Sequence, residues 1–211
     1  MTRTLLAAGL LAALLLGCAR TVLVPVPPRV ELQPYGTIGI VEFTSNAIGP
    51  FGAQATRRFQ EQVQAAQPGT RFIDLGTREA LLAQLGARSL DAEAVRRIGQ
   101  RHGVAALFTG ELAYSDPRTG VQVRDLAKLD GGVRTEIRGD LSSRLLETAS
   151  GASVWSSSSW ARRPVGGVEF SADRGVSGGV RGGDAREDML PALVHHLTHD
   201  FRPSTVRQPA P

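Results

Sequence analysis

The sequence predicts a single α/β domain built on a mixed parallel and antiparallel sheet, about five strands flanked by about four helices. Three observations carry that expectation. Short β-branched runs alternate with stretches of 3.6-residue apolar period between Thr37 and Tyr114, the rhythm of parallel strands joined by crossover helices. From Val133 to Leu145 the period switches to two, which marks a long half-buried strand. A final amphipathic stretch from about Arg186 to Phe201 supplies a helix to close the core.

Each element has a local reason. Thr37 to Phe43 (Thr-Ile-Gly-Ile-Val-Glu-Phe) is a β-branched run between Gly36 and Thr44-Ser45-Asn46, so it reads as a buried strand. Phe51, Ala55, Phe59, Val63 and Ala66 form one helical stripe, and Pro68-Gly69 stops it. A short strand over Arg71 to Leu75 follows. Thr77 caps a helix over Arg78 to Leu85, and Ser89 or Asp91 caps one that runs through His102 and ends on Gly103. Val104 to Tyr114 is the third strand. Ser115 to Gly132, with Pro117, Gly120, Gly131 and Gly132, reads as a loop or hairpin arm. Thr148 to Gly151 turns the chain into a fifth strand, Ala152 to Arg162, whose alternation puts Trp155 and Trp160 on opposite faces. Pro164 to Gly183 is glycine-rich, with a turn at Asp173-Arg174-Gly175, and predicts a weak, mobile hairpin. Pro203 ends the last helix, and residues 204–211 are expected to be a flexible tail.

The amino-terminal segment is of another kind. After Arg3 an apolar run from Leu5 leads to Leu15-Leu16-Gly17-Cys18, which has the form of a lipoprotein signal of residues 1–17. The run is shorter than the roughly 20 residues needed to span a bilayer. Cys18 then becomes the first mature residue and the lipidation site, and multi-chain acylation gives a stable membrane anchor. Residues 18–34 contain Pro25, Pro27, Pro28 and Pro34 and are expected to form an extended tether, leaving 35–203 as the folded domain. In lipoproteins of this kind an aspartate after the cysteine retains the protein in the inner membrane. Ala19 stands there, so the resemblance implies the periplasmic face of the outer membrane.

Composition narrows the chemistry. Removing residues 1–17 leaves 194 of 211, enough for one domain with a real core. Cys18 is the only cysteine, so no disulfide is available and packing must hold the fold. The formal charge of +4 comes from scattered arginines, among them Arg57, Arg58, Arg96, Arg97, Arg162 and Arg163, with Lys128 the lone lysine. Mixed acidic neighbours make these solvated edges, and a nucleic-acid partner is not expected in the envelope. His195, His196 and His199 lie within about one helical turn and are the sharpest metal candidates, with Asp200 near. A second cluster to complete the shell is missing, so neither a metal nor another cofactor is expected, and a metal-binding lipoprotein through His195, His196 and His199 ranks as an alternative function. Ser156 to Ser159 lack a neighbouring base and acid, no Gly-x-Ser-x-Gly elbow occurs, and the glycines from Gly175 to Gly183 lack the lysine of a phosphate loop. The reading is therefore not an enzyme. Glu187 and Asp188 suit the start of the last helix, where its dipole favours them.

Several segments resemble the CsgG, LpoB and TolB amino-terminal group of envelope proteins. They are Ile38-Gly39-Ile40-Val41-Glu42-Phe43, then Ser89-Leu90-Asp91 through Ile98-Gly99 and His102-Gly103-Val104 to Phe108-Thr109-Gly110-Glu111-Leu112, and finally Leu145 to Gly151 with Val154-Trp155. The likeness covers roughly residues 35 to 202. It implies a non-enzymatic binding platform serving surface-structure secretion or peptidoglycan synthase activation, with an envelope protein as partner. It also admits a homo-oligomeric export channel. That alternative ranks lower, because the arms around Val168 to Val180 are shorter than the 9 to 11 residues of a membrane-crossing strand. Contacts are expected from Ser115 to Gly132 and Pro164 to Gly183, since partner-binding residues concentrate on loops held by a rigid scaffold.

Overall fold

The computed structural model describes residues 21–125, 130–171, 175–180 and 183–209. The signal segment with Cys18 and most of the turn Asp173-Arg174-Gly175 lie outside them. The elements in order are β1 (Thr21–Val26), β2 (Thr37–Ile40), β3 (Thr44–Ser45), α1 (Phe51–Ala66), β4 (Arg71–Asp74), α2 (Arg78–Leu85), α3 (Ala92–His102), β5 (Ala106–Tyr114), β6 (Arg118–Asp125), β7 (Asp130–Glu147), β8 (Ser153–Ser171), β9 (Gly175–Val180), α4 (Ala185–Leu197) and β10 (Ser204–Pro209). Short 3₁₀ turns precede β2, at Gln33–Tyr35, and follow α4, at His199–Phe201.

The main sheet has the order β4-β2-β5-β7-β8-β9, with β3 added on β5 and β6 on β7. β2 is parallel to β4 and β5, whereas every pair from β5 outward along the path is antiparallel. The mixed α/β class and the four helices agree with the sequence. Thr77 and Asp91 cap α2 and α3 through their side chains, and Gly86 and Gly103 end them in the left-handed conformation.

Two cores sandwich the parallel half of the sheet. On one face α2 and α3 bury Leu81, Val95 and Ile98 against Val41, Leu107 and Leu146. On the other, α1 and α4 cover an aromatic cluster in which Phe59 and Phe108 lie 5.0 Å apart and Trp155 and Phe201 4.7 Å apart. Edge-on ring contacts of this kind add to the burial of each ring. Gln67, buried at the end of α1, ties the lead-in chain to this core: its Oε1 accepts from Leu32 N at 2.8 Å, and its Nε2 donates to the carbonyls of Val30 and Phe201.

Three expectations are corrected. More strands form than the five predicted, because of the two readings of Ser115 to Gly132, loop or hairpin arm, the arm is the one that forms: β6 pairs with β7 from Arg118↔Glu136 to Asp125↔Asp130. The fifth strand does not stop at Arg162 but continues to Ser171 and takes β9 as a further partner. Part of the expected tether and most of the expected tail, 21–26 and 204–209, pair with each other as an antiparallel two-stranded ribbon. Proline excludes helix but not an extended strand, and Pro25 is exposed on the ribbon.

Phe201 is fully buried and touches Phe59, Phe108 and Trp155, so Phe201→Ala is expected to cost about 3–5 kcal/mol by the usual cost of truncating a core aromatic. Urea denaturation of the two proteins measures it. A loss near that of a surface substitution would show that the cluster does not hold the core.

Candidate functional site

The sheet outgrows its helices. β7 and β8 run 18 and 19 residues, close to 60 Å at about 3.3 Å per residue. β5 pairs only with the half of β7 from Gly139 to Glu147, and β6 takes over the same edge beyond it. The handover is built by Asn46, whose side-chain amide accepts from Tyr114 N at 2.8 Å and donates to Tyr114 O at 2.9 Å, capping the end of β5. Tyr114 packs over Gly139, where an added Cβ would come within 3.1 Å of its ring, and its hydroxyl donates to Arg186 O at 3.1 Å. Burial and the Asp184 carboxylate push the Tyr114 phenol above its ordinary range, so it stays protonated. Helical cover ends here, and β6, β9 and the distal halves of β7 and β8 continue as a four-stranded arm.

The arm has two unlike faces. A bulge at Val165 separates the pairs Thr135↔Gly166 and Glu136↔Pro164, and it lodges Pro164 in the strand without a ladder hydrogen bond. It also shifts the alternation of β8 by one residue, which brings Val168 to the face of Ile137 and Leu141 rather than to that of Trp160. Three cross-strand rows result on that face: Thr119-Thr135-Gly166, Val121-Val133-Val168-Gly178 and Val123-Gly131, the last continued on β9 by Val176. This apolar surface continues the core face without a helix over it, and Val121 and Val176 are 70% and 76% exposed. The opposite face carries Gln122-Gly132-Glu169-Ser177 and Gly120-Arg134-Gly167-Gly179. It is concave, enclosing about 460 Å³. Glycine is required there by close approach: a Cβ on Gly132 or Gly167 would meet the carbonyl of Val168 or Val133 at 2.8 Å.

The polar face runs down the strands into a second groove of about 540 Å³ between β6, β7 and β8, with Arg118, Arg134, Arg138 and Arg162 in its lining. Trp160, 58% exposed, stands beside it, with the guanidinium carbons of Arg138 and Arg162 at 5.2 and 5.5 Å from its ring. Arg138 is itself held by two-oxygen hydrogen bonds to Asp140. Trp and Arg in one exposed cluster are the residue types that dominate binding energy at protein interfaces.

The predicted residues fall as follows. Trp155 is buried and donates to Asp200 Oδ2 at 3.1 Å, and Trp160 is the exposed one, as alternation required. Ser156 and Ser158 face solvent, whereas Ser159 is buried and donates to Leu193 O at 2.8 Å. Glu187 and Asp188 sit in the first turn of α4 behind the cap Asp184. His195, His196 and His199 are exposed near its end. Arg202 reaches His195 Nε2 at 3.0 Å and also donates to His195 O, Gln62 Oε1 and the Thr198 hydroxyl. A cation thus sits against one ring nitrogen of His195. Among the described residues no three His, Cys, Asp or Glu side chains are grouped to hold a metal, and no helix is long and apolar enough to cross a membrane. The sequence reading missed Arg138 and Asp140 beside Trp160. The pairing of Asp140 with Trp160 depends on a one-residue register shift between Leu145 and Leu146; the turn at Thr148 to Gly151 alone would oppose Asp140 to Ser159 and gave no signal of it.

Fold and surface together define a mixed α/β domain bearing an uncovered antiparallel arm. No protein-family profile matches the sequence, and no curated protein matches it. Among solved structures it is similar to the PelC dodecamer from Paraburkholderia phytofirmans, at 11% identity over 87% of this chain and 98% of that one, TM-score 0.40. It is also similar to the LpoB C-terminal domain from Salmonella enterica, at 12% identity over 60% and 83%, TM-score 0.36, and to lipoprotein GNA1162 from Neisseria meningitidis, at 18% over 61% and 83%, TM-score 0.30. Likenesses this distant assign neither a family nor an activity.

The Arg202 guanidinium, with burial and the neighbouring His196 and His199, holds the His195 imidazole below its ordinary range. Protonation of His195 is therefore expected to need a pH below that of a free imidazole, and Arg202→Gln to move its NMR titration midpoint upward. An unmoved midpoint would mean that Arg202 does not sit against the ring in solution.

Proposed function

We propose that this chain is a lipid-anchored lipoprotein of the bacterial envelope, held through Cys18 at the periplasmic face of the outer membrane, and that it serves as a non-enzymatic binding module. The arm of β6, β7, β8 and β9 is its docking surface for another envelope protein engaged in surface assembly or wall synthesis. One observation carries this reading: the apolar core face continues past the described helices along the arm, where Val121, Val123, Val168 and Val176 are exposed. A monomeric soluble domain rarely leaves such a surface bare. The anchor rests on Leu15-Leu16-Gly17-Cys18 and the charged start before it. The Trp160, Arg138 and Arg162 cluster lies on the other face of the same strands and supplies polar anchors for a partner that wraps the arm.

A second reading has its own support. β6 and β9 are the free edges of a four-stranded antiparallel arm and therefore run in opposite directions. The β9 of one copy can extend the β6 of the next with the apolar rows kept on one side, a head-to-tail contact that closes into a ring. An export channel would follow if those rows crossed a bilayer. Three rows at two-residue spacing span only about 14 Å, against about 25 Å for the apolar band of a membrane barrel. That shortfall places a pore second.

A photoreactive amino acid at Val121 or Val176 in the full chain, expressed in intact cells, distinguishes the readings. The docking reading expects one discrete heavier product containing a different envelope protein, with none from a probe at Gln84 on α2. Products that contain only this chain favour the ring. Background labelling equal to that at Gln84 rejects the arm as a binding surface.

A further inference from the structure

The ribbon of β1 and β10 serves no purpose in the core. Apart from partly exposed Val24, its residues with described burial are all exposed, Leu23 at 65%, and it belongs to neither side of the main sheet. An isolated two-stranded ribbon is marginal in water, so this one needs a second contact. Its roots are nevertheless fixed. Val30 N donates to Asp200 O at 3.2 Å, Arg29 pairs with Asp200 at 3.2 Å, and Gln67 binds both Val30 and Phe201, so the two strands leave the domain from one spot.

The other end of the ribbon is fixed by chain length. Thr21 is the third residue after Cys18, and three residues reach at most about 11 Å. If Cys18 carries the lipid, as the proposed function holds, Thr21 stands at the headgroup layer. Its partner in the register is Pro209, so the carboxyl-terminal strand is drawn to the same level. The surface brought there suits that place. Val22, Leu23 and Val206 are exposed, Arg207 lies opposite Leu23, and neither strand contains an acidic residue. Apolar side chains beside a lone cation match the boundary between acyl chains and anionic headgroups.

We infer that the β1–β10 ribbon is the membrane-contacting foot of this protein: it rests in the headgroup layer of the bilayer that holds Cys18 and keeps the domain a fixed short distance from it. Six paired residues span about 20 Å, so the domain stands close to the membrane instead of roaming on a loose tether. This rests on the proposed lipid anchor and adds a contact that the anchor alone does not require.

The test uses the full chain, purified with its lipid and reconstituted into vesicles of phosphatidylethanolamine and phosphatidylglycerol. A fluorophore on Arg207→Cys, on Gln208→Cys or on the control Gln84→Cys is exposed to nitroxide-bearing lipid. Quenching several-fold stronger at both ribbon positions than at Gln84 is expected. Equal, weak quenching at all three in a sample whose Cys18 is shown by mass spectrometry to be acylated overturns the foot and leaves the anchor standing. An unmodified Cys18 removes the anchor and the foot with it. Truncation after Pro203, which deletes β10 and leaves the core contacts of Gln67 in place, is expected to broaden the bilayer-to-Gln84 distance measured by energy transfer. An unchanged distribution also counts against the foot.

Discussion

The antiparallel ladder between β7 and β8 is the constraint from which the rest of the molecule follows. Two paired strands of this length need apolar cover on one face, and α4 with α1 supplies it only as far as Ile137 and Tyr114. Within that limit the ladder is the floor of a core that also holds the aromatic cluster. Beyond it the same strands keep alternating, so an apolar face is produced that no helix among the described residues covers. Sheet continuity and helix length thus conflict, and the conflict creates the surface to which a function is assigned here.

Local devices manage the transition. Asn46 stands in for a missing strand at the end of β5, so that β6 can start on the same edge of β7 without leaving the Tyr114 backbone unpaired. The bulge leaves Val165 unpaired beside Pro164 and shifts the alternation of β8, aligning valine with valine across the arm. Glycines on the concave side let neighbouring strands approach more closely than a Cβ would permit. At Gly132 and Gly167 glycine is therefore a geometric requirement, whereas Gly120 and Gly179 on the same face have open space around them. The hairpin that the sequence suggests for Pro164 to Gly183 forms from the end of β8 and β9.

Much of the domain was legible beforehand, and the limits have physical causes. Helices were read closely because caps and breakers are local: Thr77, Asp91, Gly103 and Pro68-Gly69 mark ends that the structure reproduces. The opposite facing of Trp155 and Trp160 was legible because strand alternation is strict between bulges. What escaped was non-local. Ser115 to Gly132 is polar and rich in breakers, so its local pattern left loop and hairpin arm open, and pairing with β7 decides for the arm. The β1–β10 ribbon joins residues nearly two hundred positions apart, a pairing that no local pattern in 21–26 or 204–209 announces. His195 offered a metal-like spacing, but the arrival of Arg202 from beyond the helix end decides what its ring meets.

The central claim is that the apolar arm is bare in the isolated domain and covered where the protein works. Amide hydrogen exchange measured by mass spectrometry on the full chain, once as a detergent-dispersed monomer and once in isolated envelopes, tests it most directly. Peptides from β6 and β9 should exchange freely in the monomer and gain strong protection in envelopes, while peptides from α2 and α3 exchange alike in both. Equal exchange of β6 and β9 in the two states would contradict the account.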